Sequence, residues 1–245
     1  MVKIDDSRSP VIRLTLGRPE TRNCLDTDTV RELLSALDTA ERAPGASVLV
    51  IDADGDDFCS GMDLSNPSPA QWRPLLEDIE VLLSRLRGSA LVTVALVQGA
   101  ATGGGVGLAA VCDLVVAGPL AEFRMTEVLI GMVPALILPL VGARVGLRRA
   151  YGLALLAQPV TGPEAVRIGL ADVCGDEPER ELALVLRRLR AADDSAMRSL
   201  KRYVLALTDQ NKASPELVWT VLDERIADPR MGERLKWLQT GRTTS

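Results

Sequence analysis

Residues 92–131 read VTVALVQGAATGGGVGLAAVCDLVVAGPLAEFRMTEVLIG, and this stretch decides the fold. Two apolar runs, Val92–Val97 and Leu114–Ala117, have the length and the β-branched content of buried strands. Between them lies a glycine cluster within residues 103–107, followed by small apolar residues, which predicts a tight turn that enters a helix. The stretch ends at an acid in apolar surroundings, Glu127.

A glycine cluster of this kind has more than one interpretation. A turn without Cβ atoms lets a substrate approach the backbone, and the first N–H groups of a helix have no partner within it. Such groups can bind a phosphate, or the oxygen of a carbonyl that gains negative charge. A packing turn between two buried strands is the simpler interpretation, and the glycines alone leave these alternatives open.

The composition excludes several classes of protein. The chain has 245 residues and 47% apolar content, which suits one domain, or one large domain with a small appendage. No apolar stretch reaches the roughly 18 residues of a membrane span, and the polar, acidic N-terminus does not resemble a secretory signal, so we expect a cytoplasmic protein. The net charge of −5 argues against non-specific binding of nucleic acid.

Histidine is absent from the chain. Its absence excludes Ser-His-Asp and Cys-His catalysis and any metal site with histidine ligands, so acid–base chemistry falls to Asp, Glu, Lys or Tyr. The four cysteines lie tens of residues apart with no CxxC motif, which is typical of thiols in a reducing compartment.

Strands and helices are predicted to alternate before the glycine cluster. Val11–Leu16 and Val48–Ile51 read as strands, and a helix capped by Thr27 or Asp26 separates them, with Val30, Leu33, Leu34, Leu37 and Ala40 on its apolar face. A second helix is predicted from about Pro74 to Arg87. This alternation indicates an α/β fold with parallel strands.

After residue 131 the chain is predicted to be mostly helical. Residues 135–157 read as helix interrupted by Pro139, and helical segments follow from Glu177 onward. The last segments carry more apolar residues than a solvated tail needs, so we expect them to dock on the core or on a neighbouring subunit: Leu217, Trp219, Val221, Leu222, Leu235, Trp237 and Leu238.

Two enzymatic interpretations compete for the glycine cluster. Gly105–Ala110 fits the dinucleotide pattern G-x-G-x-x-A, with an acid about twenty residues later. This pattern is typical of a dehydrogenase, but here the glycines lie some way past the strand and no Tyr-x-x-x-Lys pair is present.

In the other interpretation, Gly104 and Met62 each offer a backbone N–H to one thioester oxygen, and Glu127 is the base. One such donor stabilises the transition state by roughly 2.7–4 kcal/mol. Burial would raise the pKa of Glu127.

The chain as a whole resembles the crotonase (enoyl-CoA hydratase/isomerase) superfamily. The resemblance runs from about Ile12 to Gly241 and rests on matching pieces in the family's order: RPETRNCLDTDTV, FCSGMDL, VQGAATGGGVGLAAVCDLVVA, FRMTEVLIGMVP and PVTGPEAVRIGLADVC. It implies a core of ββα units in a spiral over residues 1–190. It also implies a helical region, residues 191–245, for docking and for assembly into trimers or hexamers.

The resemblance also implies the chemistry of the site. The substrate would be an acyl thioester on CoA or an acyl carrier protein, with no cofactor and no metal. By motif position, Met62 and Gly104 are the oxyanion donors and Glu127 the catalytic acid–base. Asp63 is a second candidate acid, with a loop-anchoring carboxylate as the alternative. The expected substrate-binding residues are Gly103, Gly105, Ala135 and Leu136.

Two departures from the family pattern narrow the function. Hydratases of the family usually carry a second glutamate where this chain has Gly107, and the usual glycine-rich loop is replaced by the apolar residues 133–139. Members with a single acid include double-bond isomerases and the dehydratase of polyketide β-branching cassettes, and residues 127–165 resemble the dehydratase most. We therefore expect dehydration of a 3-hydroxy-3-methylglutaryl-type thioester. Alternatives are an enoyl-CoA isomerase or hydratase, and a non-catalytic partner in a multienzyme complex.

Such a substrate carries a carboxylate, and an acyl carrier protein is acidic, so cations are of interest. Arg124, Arg144 and Arg149 are possible partners for the carboxylate, although surface charge is the simpler interpretation. A basic surface for a carrier could come from Arg144, Arg148, Arg149, Arg187 and Arg188, with a solvated helix face as the alternative. Tyr151 is expected to be a core residue.

Overall fold

A computed structural model describes residues 1–64, 72–208, 214–228 and 230–234 of the protein. The strands in these ranges are β1 (Val2–Arg8), β2 (Val11–Leu16), β3 (Val48–Ala53), β4 (Asp57–Cys59), β5 (Val92–Val97), β6 (Ala100–Thr102), β7 (Leu114–Ala117), β8 (Glu122–Arg124), β9 (Val160–Thr161) and β10 (Val173–Cys174). The helices are α1 (Thr27–Arg42), α2 (Trp72–Gly88), α3 (Gly104–Ala110), α4 (Leu138–Val145), α5 (Leu147–Leu156), α6 (Gly162–Ile168), α7 (Pro178–Arg190), α8 (Asp194–Thr208) and α9 (Pro215–Ile226).

The strands form two mixed sheets, and the chain passes from one sheet to the other in successive units. One sheet has the order β1-β2-β3-β5-β7-β10 and the other β4-β6-β8-β9. Only β1–β2 and β8–β9 among these neighbours are antiparallel. Within the described chain, β3-β4-α2 and β5-β6-α3 repeat one pattern, in which each unit gives one strand to each sheet and then a helix. The ββα spiral is thus confirmed.

The alternation of side chains along the parallel strands builds a core on each face of the larger sheet. Leu49 and Ile51 of β3 point into the main cluster with α1, α2 and α3. Val48 and Val50 point to the opposite face and pack with Leu182 of α7. Because both faces are covered, strand β5 is buried at every position, which explains why its sequence is apolar except for Thr93.

Helix α1 follows the prediction from its apolar spacing. Asp26 is the N-cap residue and accepts a hydrogen bond from the Thr29 N–H at 2.7 Å. The predicted apolar face is buried except for Leu34, which is partly buried against the same cluster. Strands β2, β5 and β7 also have the predicted bounds.

The structure differs from the sequence prediction in its short elements. Strand β1 was not predicted, because its polar sequence VKIDDSR lies at a sheet edge that faces solvent. The smaller sheet was also not predicted, since its strands span only two or three residues. The interruption predicted at Pro139 is wrong: Pro139 lies in the first turn of α4, where a missing N–H costs no helical hydrogen bond. The break lies at Gly146, whose φ is +83°.

The C-terminal helices dock on the core, as the apolar residues of this region predicted. Lys201 of α8 is nearly buried and donates to Leu91 O at 2.9 Å and to Asp113 Oδ2 at 2.8 Å. Leu222 of α9 is 1% exposed, whereas Leu217 is 55% exposed. Leu235, Trp237 and Leu238 lie outside the described residues. The division at residues 190 and 191 stays a prediction; α7 ends at Arg190 and α8 begins at Asp194. None of the described helices combines the length and the apolar character needed to cross a bilayer.

Candidate active site

One small pocket brings together most of the residues predicted for the site. It encloses about 90 Å³, and Met62, Gly103, Gly104, Glu127, Ala135 and Leu136 all line it. A single water needs roughly 10–15 Å³ of such enclosed volume, so the pocket has room for several non-hydrogen atoms. The rest of its lining is mostly apolar: Ser60, Gly61, Leu64, Leu76, Ile79, Thr126, Ile130, Met132, Val133, Pro134, Ile137 and Leu222.

The backbone geometry around Met62 directs its N–H away from the neighbouring strand. Leu25 forms a parallel bridge in which Leu25 N donates to Gly61 O at 2.8 Å and Asp63 N donates to Leu25 O at 3.1 Å. In a parallel bridge the bonds come from the residues on either side of Met62, so the N–H of Met62 itself points the other way. That side faces Gly104: a Cβ built on Gly104 would lie 3.6 Å from Met62 N.

Glycine at position 61 allows the two segments to approach each other. Gly61 has a φ of +87°, and a Cβ there would lie 2.6 Å from Thr102 O and 3.1 Å from Gly104 N. A side chain at this position would therefore push the segments apart. Gly104 is the first residue of α3, so its N–H has no intrahelical acceptor. Both predicted donors thus lie at the wall of one pocket.

Glu127 lines the same pocket and begins a single 3₁₀ turn, Glu127–Ile130. A Cβ on Gly103 would lie 3.3 Å from Glu127 Oε1, so the carboxyl group adjoins the glycine turn. Although the residue is partly open to the pocket, its Oε2 atom is buried and accepts no hydrogen bond from the residues that the structure describes. A buried oxygen without a donor is costly when it carries charge.

The position of Glu127 changes its acidity. Burial raises the pKa of Glu127 to about 7, and the backbone N–H groups of Glu127 and Thr126 oppose this only in part. The direction agrees with the prediction from the apolar sequence around it. A carboxyl group with a pKa near neutrality is matched to proton transfer at physiological pH.

Gly107, where hydratases of the family carry a second glutamate, faces an obstructed space. A Cβ built on Gly107 would overlap Ile137 Cγ2 and would lie 3.1 Å from Ile137 Cβ. Ile137 is 3% exposed and lines the pocket, together with Val133, Pro134 and the predicted residues Ala135 and Leu136. The apolar loop thus forms one wall of the pocket, at the place where a second acid would stand.

Two predicted site residues are placed elsewhere. A Cβ on Gly105 would overlap Cys59 O and lie 2.9 Å from Cys59 Cβ, so Gly105 packs against β4 and is not part of the pocket lining. Since Gly105 and Gly107 both face packed side chains or backbone, neither is open to the phosphates of a dinucleotide. Asp63 is only partly buried and is also outside the lining.

The candidate cations lie away from the pocket lining. The Arg124 guanidinium donates to Ala157 O at 2.6 Å, and Arg144 donates to the carbonyls of Ala110 and Cys112 at the end of α3. Arg144 is 12% exposed and also pairs with Asp172, so it is a structural residue and not part of a basic surface. Arg149 is exposed on α5, as are Arg148, Arg187 and Arg188 on their helices. Tyr151 was predicted in the core but is 48% exposed, with the Arg148 guanidinium 5.6 Å from its ring centroid.

Sequence reasoning missed the contribution of the helices to the pocket. Leu76 and Ile79 of α2 and Leu222 of α9 form part of its lining. An apolar residue on a helix can belong to the core or to a pocket wall, and the spacing of apolar residues does not distinguish the two.

Comparison with known proteins shows the family to which the chain belongs. The family described as Enoyl-CoA hydratase/isomerase matches residues 6–222. The chain is 27% identical over 241 residues to the Bacillaene synthase dehydratase PksH of Bacillus subtilis (strain 168), covering 96% of this chain and 92% of that protein. It is 37% identical over 165 residues to a probable enoyl-CoA hydratase of Rhodobacter capsulatus, covering 64% of this chain and 62% of that protein.

Solved structures give the same fold over the whole chain. A putative enoyl-CoA hydratase from Mycobacterium avium paratuberculosis K-10 superposes with a TM-score of 0.90 at 24% identity, covering 100% of both chains. A putative polyketide biosynthesis enoyl-CoA hydratase (pksH) from Bacillus subtilis superposes with a TM-score of 0.87 at 25% identity, covering 98% of both chains. The chain belongs to the enoyl-CoA hydratase/isomerase family of the crotonase superfamily and is an enzyme of the enoyl-CoA hydratase or dehydratase type.

Proposed function

We propose that this enzyme dehydrates a 3-hydroxyacyl thioester, of the 3-hydroxy-3-methylglutaryl type, on a CoA or carrier-protein arm in polyketide biosynthesis. The observation that carries the proposal is that Glu127, the one acid among the described residues that line the pocket, shares this pocket with Met62 and Gly104, while Ile137 fills the space beside Gly107. Similarity to the dehydratase PksH over nearly the whole chain supports the polyketide assignment.

One carboxyl group is sufficient for this reaction. Glu127 as carboxylate takes the proton from the α-carbon, and the negative charge moves to the thioester oxygen, where the Met62 and Gly104 N–H groups stabilise it. The electron pair then returns to form the Cα=Cβ bond, and the C–O bond at the β-carbon breaks. The hydroxyl group leaves with the proton from Glu127, so water and the enoyl thioester are released and the carboxylate is regenerated.

Among the described residues that line the pocket, Glu127 is the one acid, and this distinguishes the proposal from two-glutamate water addition. In the elimination, Glu127 carries the same proton from the α-carbon to the leaving hydroxyl group, so both groups lie on one face of the substrate. No cofactor takes part in these steps. The apolar wall of residues 133–137 limits the water near the reacting carbons.

The test is turnover of 3-hydroxy-3-methylglutaryl carrier protein and, separately, of 3-enoyl-CoA, followed by mass and by absorbance. We expect loss of water from the first substrate and a loss of activity of at least about 100-fold in Glu127→Gln. Glu122→Gln, which changes an exposed acid on β8, is the matched control. Turnover of the 3-enoyl substrate alone would indicate an isomerase, and wild-type turnover by Glu127→Gln would exclude the mechanism. Asp63→Asn tests the second candidate acid in the same assay.

A further inference from the structure

Helix α9 contributes a wall to the candidate active site. Leu222 lines the pocket and packs in a cluster with Trp72, Leu76, Ile130 and Met132. The last two of these residues belong to the segment that begins at Glu127. Helix α9 therefore packs against the turn that carries the proposed base and covers Ile130.

Charged groups hold α9 on helix α2. Arg73 pairs with Asp223 of α9 and with Glu77 of its own helix, the latter at 2.9 Å. Its guanidinium group also lies 4.7 Å from the ring centroid of Trp219. These contacts seat the helix but do not reach Glu127.

Arg225 makes the polar contact between α9 and the turn of Glu127. Its Nε donates to the carbonyl oxygen of Gly131 at 2.8 Å. Asp228, just past the end of α9, pairs with Arg225 and with Arg230, the latter at 2.9 Å. Asp228 thus orients the Arg225 guanidinium through Oδ2. Arg230 donates to both oxygens of the same carboxylate, and it makes no contact with Gly131 O among the described hydrogen bonds.

Gly131 ends the 3₁₀ turn and fixes its geometry. Its φ of +84° reverses the chain, its N–H donates to Val128 O at 3.2 Å, and Met132 N donates to Glu127 O at 2.9 Å. Since Glu127 Oε2 has no donor of its own among the described residues, the path of this turn determines where the carboxyl group lies.

We propose that Arg225 is a positioning residue that, through the Gly131 carbonyl, fixes the turn carrying Glu127 and keeps α9 in place as a wall of the pocket. The inference rests on the proposed role of Glu127 as the base. It assigns to the C-terminal region a direct part in building the site of the same chain.

The test compares Arg225→Met with Arg230→Met. Both remove a cation that binds Asp228, but only the first removes the donor to Gly131 O. We expect Arg225→Met to lower kcat about tenfold or more, because the rate falls steeply when the base is misplaced. The kcat of Arg230→Met should stay close to that of the wild type. Arg225→Lys should recover part of the loss, since an ammonium group can still donate to the carbonyl.

The pH profile separates positioning from simple destabilisation. Burial holds the pKa of Glu127 near 7, and no neighbouring charge contributes to that value. The charged groups on this side of the described chain are Arg225, Asp228 and Arg230 from the α9 end and Arg73, Asp223 and Glu77 from the α2 contact. Arg234 also faces the turn, since a Cβ on Gly131 would lie 3.4 Å from its Cδ. Loosening the turn admits water, so the acid limb of the Arg225→Met profile should move from about pH 7 toward 4.5. Loss of folded protein alone would not move it.

Hydrogen exchange at the amides of Gly131 and Met132 makes the result independent of the reaction. We expect faster exchange at both amides in Arg225→Met and wild-type exchange in Arg230→Met. Equal exchange and equal pH profiles in the two variants would overturn the proposal. If Glu127→Gln kept wild-type turnover, the proposed function would fail, and the exchange rates would still decide whether Arg225 holds the turn.

Discussion

The side chain of Ile137 occupies the space into which a side chain at position 107 would extend. A Cβ on Gly107 would lie 3.1 Å from Ile137 Cβ and 3.7 Å from Leu83 Cδ1. Ile137 is β-branched and buried, so it cannot swing aside as the end of a long side chain could. The glycine and the isoleucine therefore form a matched pair, in which an apolar side chain fills the space beside position 107.

The first prediction concerns Gly107. Gly107→Ala should destabilise the protein by about 1–3 kcal/mol through overpacking against Ile137, although alanine is the better helix former. Gly107→Glu should fold poorly and should not gain hydratase activity. Chemical denaturation measures the first effect, with Gly152→Ala as the control, because nothing lies within 4 Å of a Cβ there. Equal stabilities of the two alanine variants would contradict the prediction.

The same pair shows what sequence could and could not predict. The long strands, helix α1 and the placement of Glu127 among apolar residues followed from the sequence pattern. Family position predicted Met62 and Gly104 as site residues, and both line the pocket; their role as donors stays a prediction. The contact between residues 107 and 137 did not follow from the sequence, because it depends on how the loop of residues 133–137 returns onto α3. Gly105 was predicted to bind substrate because the sequence does not distinguish a glycine that is open to a ligand from one that packs against backbone.

Residues of the C-terminal helices illustrate the second limit. The excess of apolar residues in the last segments predicted docking on the core or on a neighbouring subunit, and Leu222 is buried in the core. Neither Leu222 nor Arg225 could be predicted from sequence to lie over the turn of Glu127. Their positions depend on the docking of α9 against a segment that is distant from it in the sequence. The short strands of the smaller sheet were missed because two or three residues carry no measurable periodicity.

The second prediction is the pH dependence of activity. Glu127 must be ionised to take a proton, and burial places its pKa at about 7. The value of kcat/KM should therefore rise with pH and level off above about 7. The pH–rate profile of the wild type gives this limb directly. A limb near 4.5, the ordinary value for a glutamate, would mean that the catalytic acid is a solvated carboxyl group.

The third prediction is the effect of the same group on stability. The pKa of Glu127 is raised on folding, from 4.5 to about 7, so the folded state binds the proton more tightly than the unfolded state. The stabilisation from the protonated group is complete below pH 4.5 and is lost as the pH rises through 7. A shift of this size corresponds to about 3 kcal/mol.

Glu127→Gln removes this dependence, because the amide does not ionise. Denaturation of the variant and of the wild type at pH 4.5 and at pH 8.5 is the measurement. We expect the free energy of unfolding of the variant, relative to wild type, to increase by about 3 kcal/mol between the two conditions. All other carboxyl groups are common to both proteins, so a difference that stays constant with pH would show that Glu127 is not buried as described.

The fourth prediction concerns the exposed apolar face of α8. Leu200, Tyr203, Val204 and Leu207 are each between 46% and 63% exposed and follow the spacing of one helical stripe. A contiguous apolar stripe on a surface indicates a protein contact, which fits the assembly into trimers or hexamers expected for residues 191–245. Light scattering should therefore give a multiple of the 26.3 kDa chain. Leu200→Glu combined with Val204→Glu should shift it toward the single chain, while Leu120→Glu, at an 84% exposed position in the turn before β8, should not. A wild-type protein that already runs as a single chain would remove the basis for this role of α8.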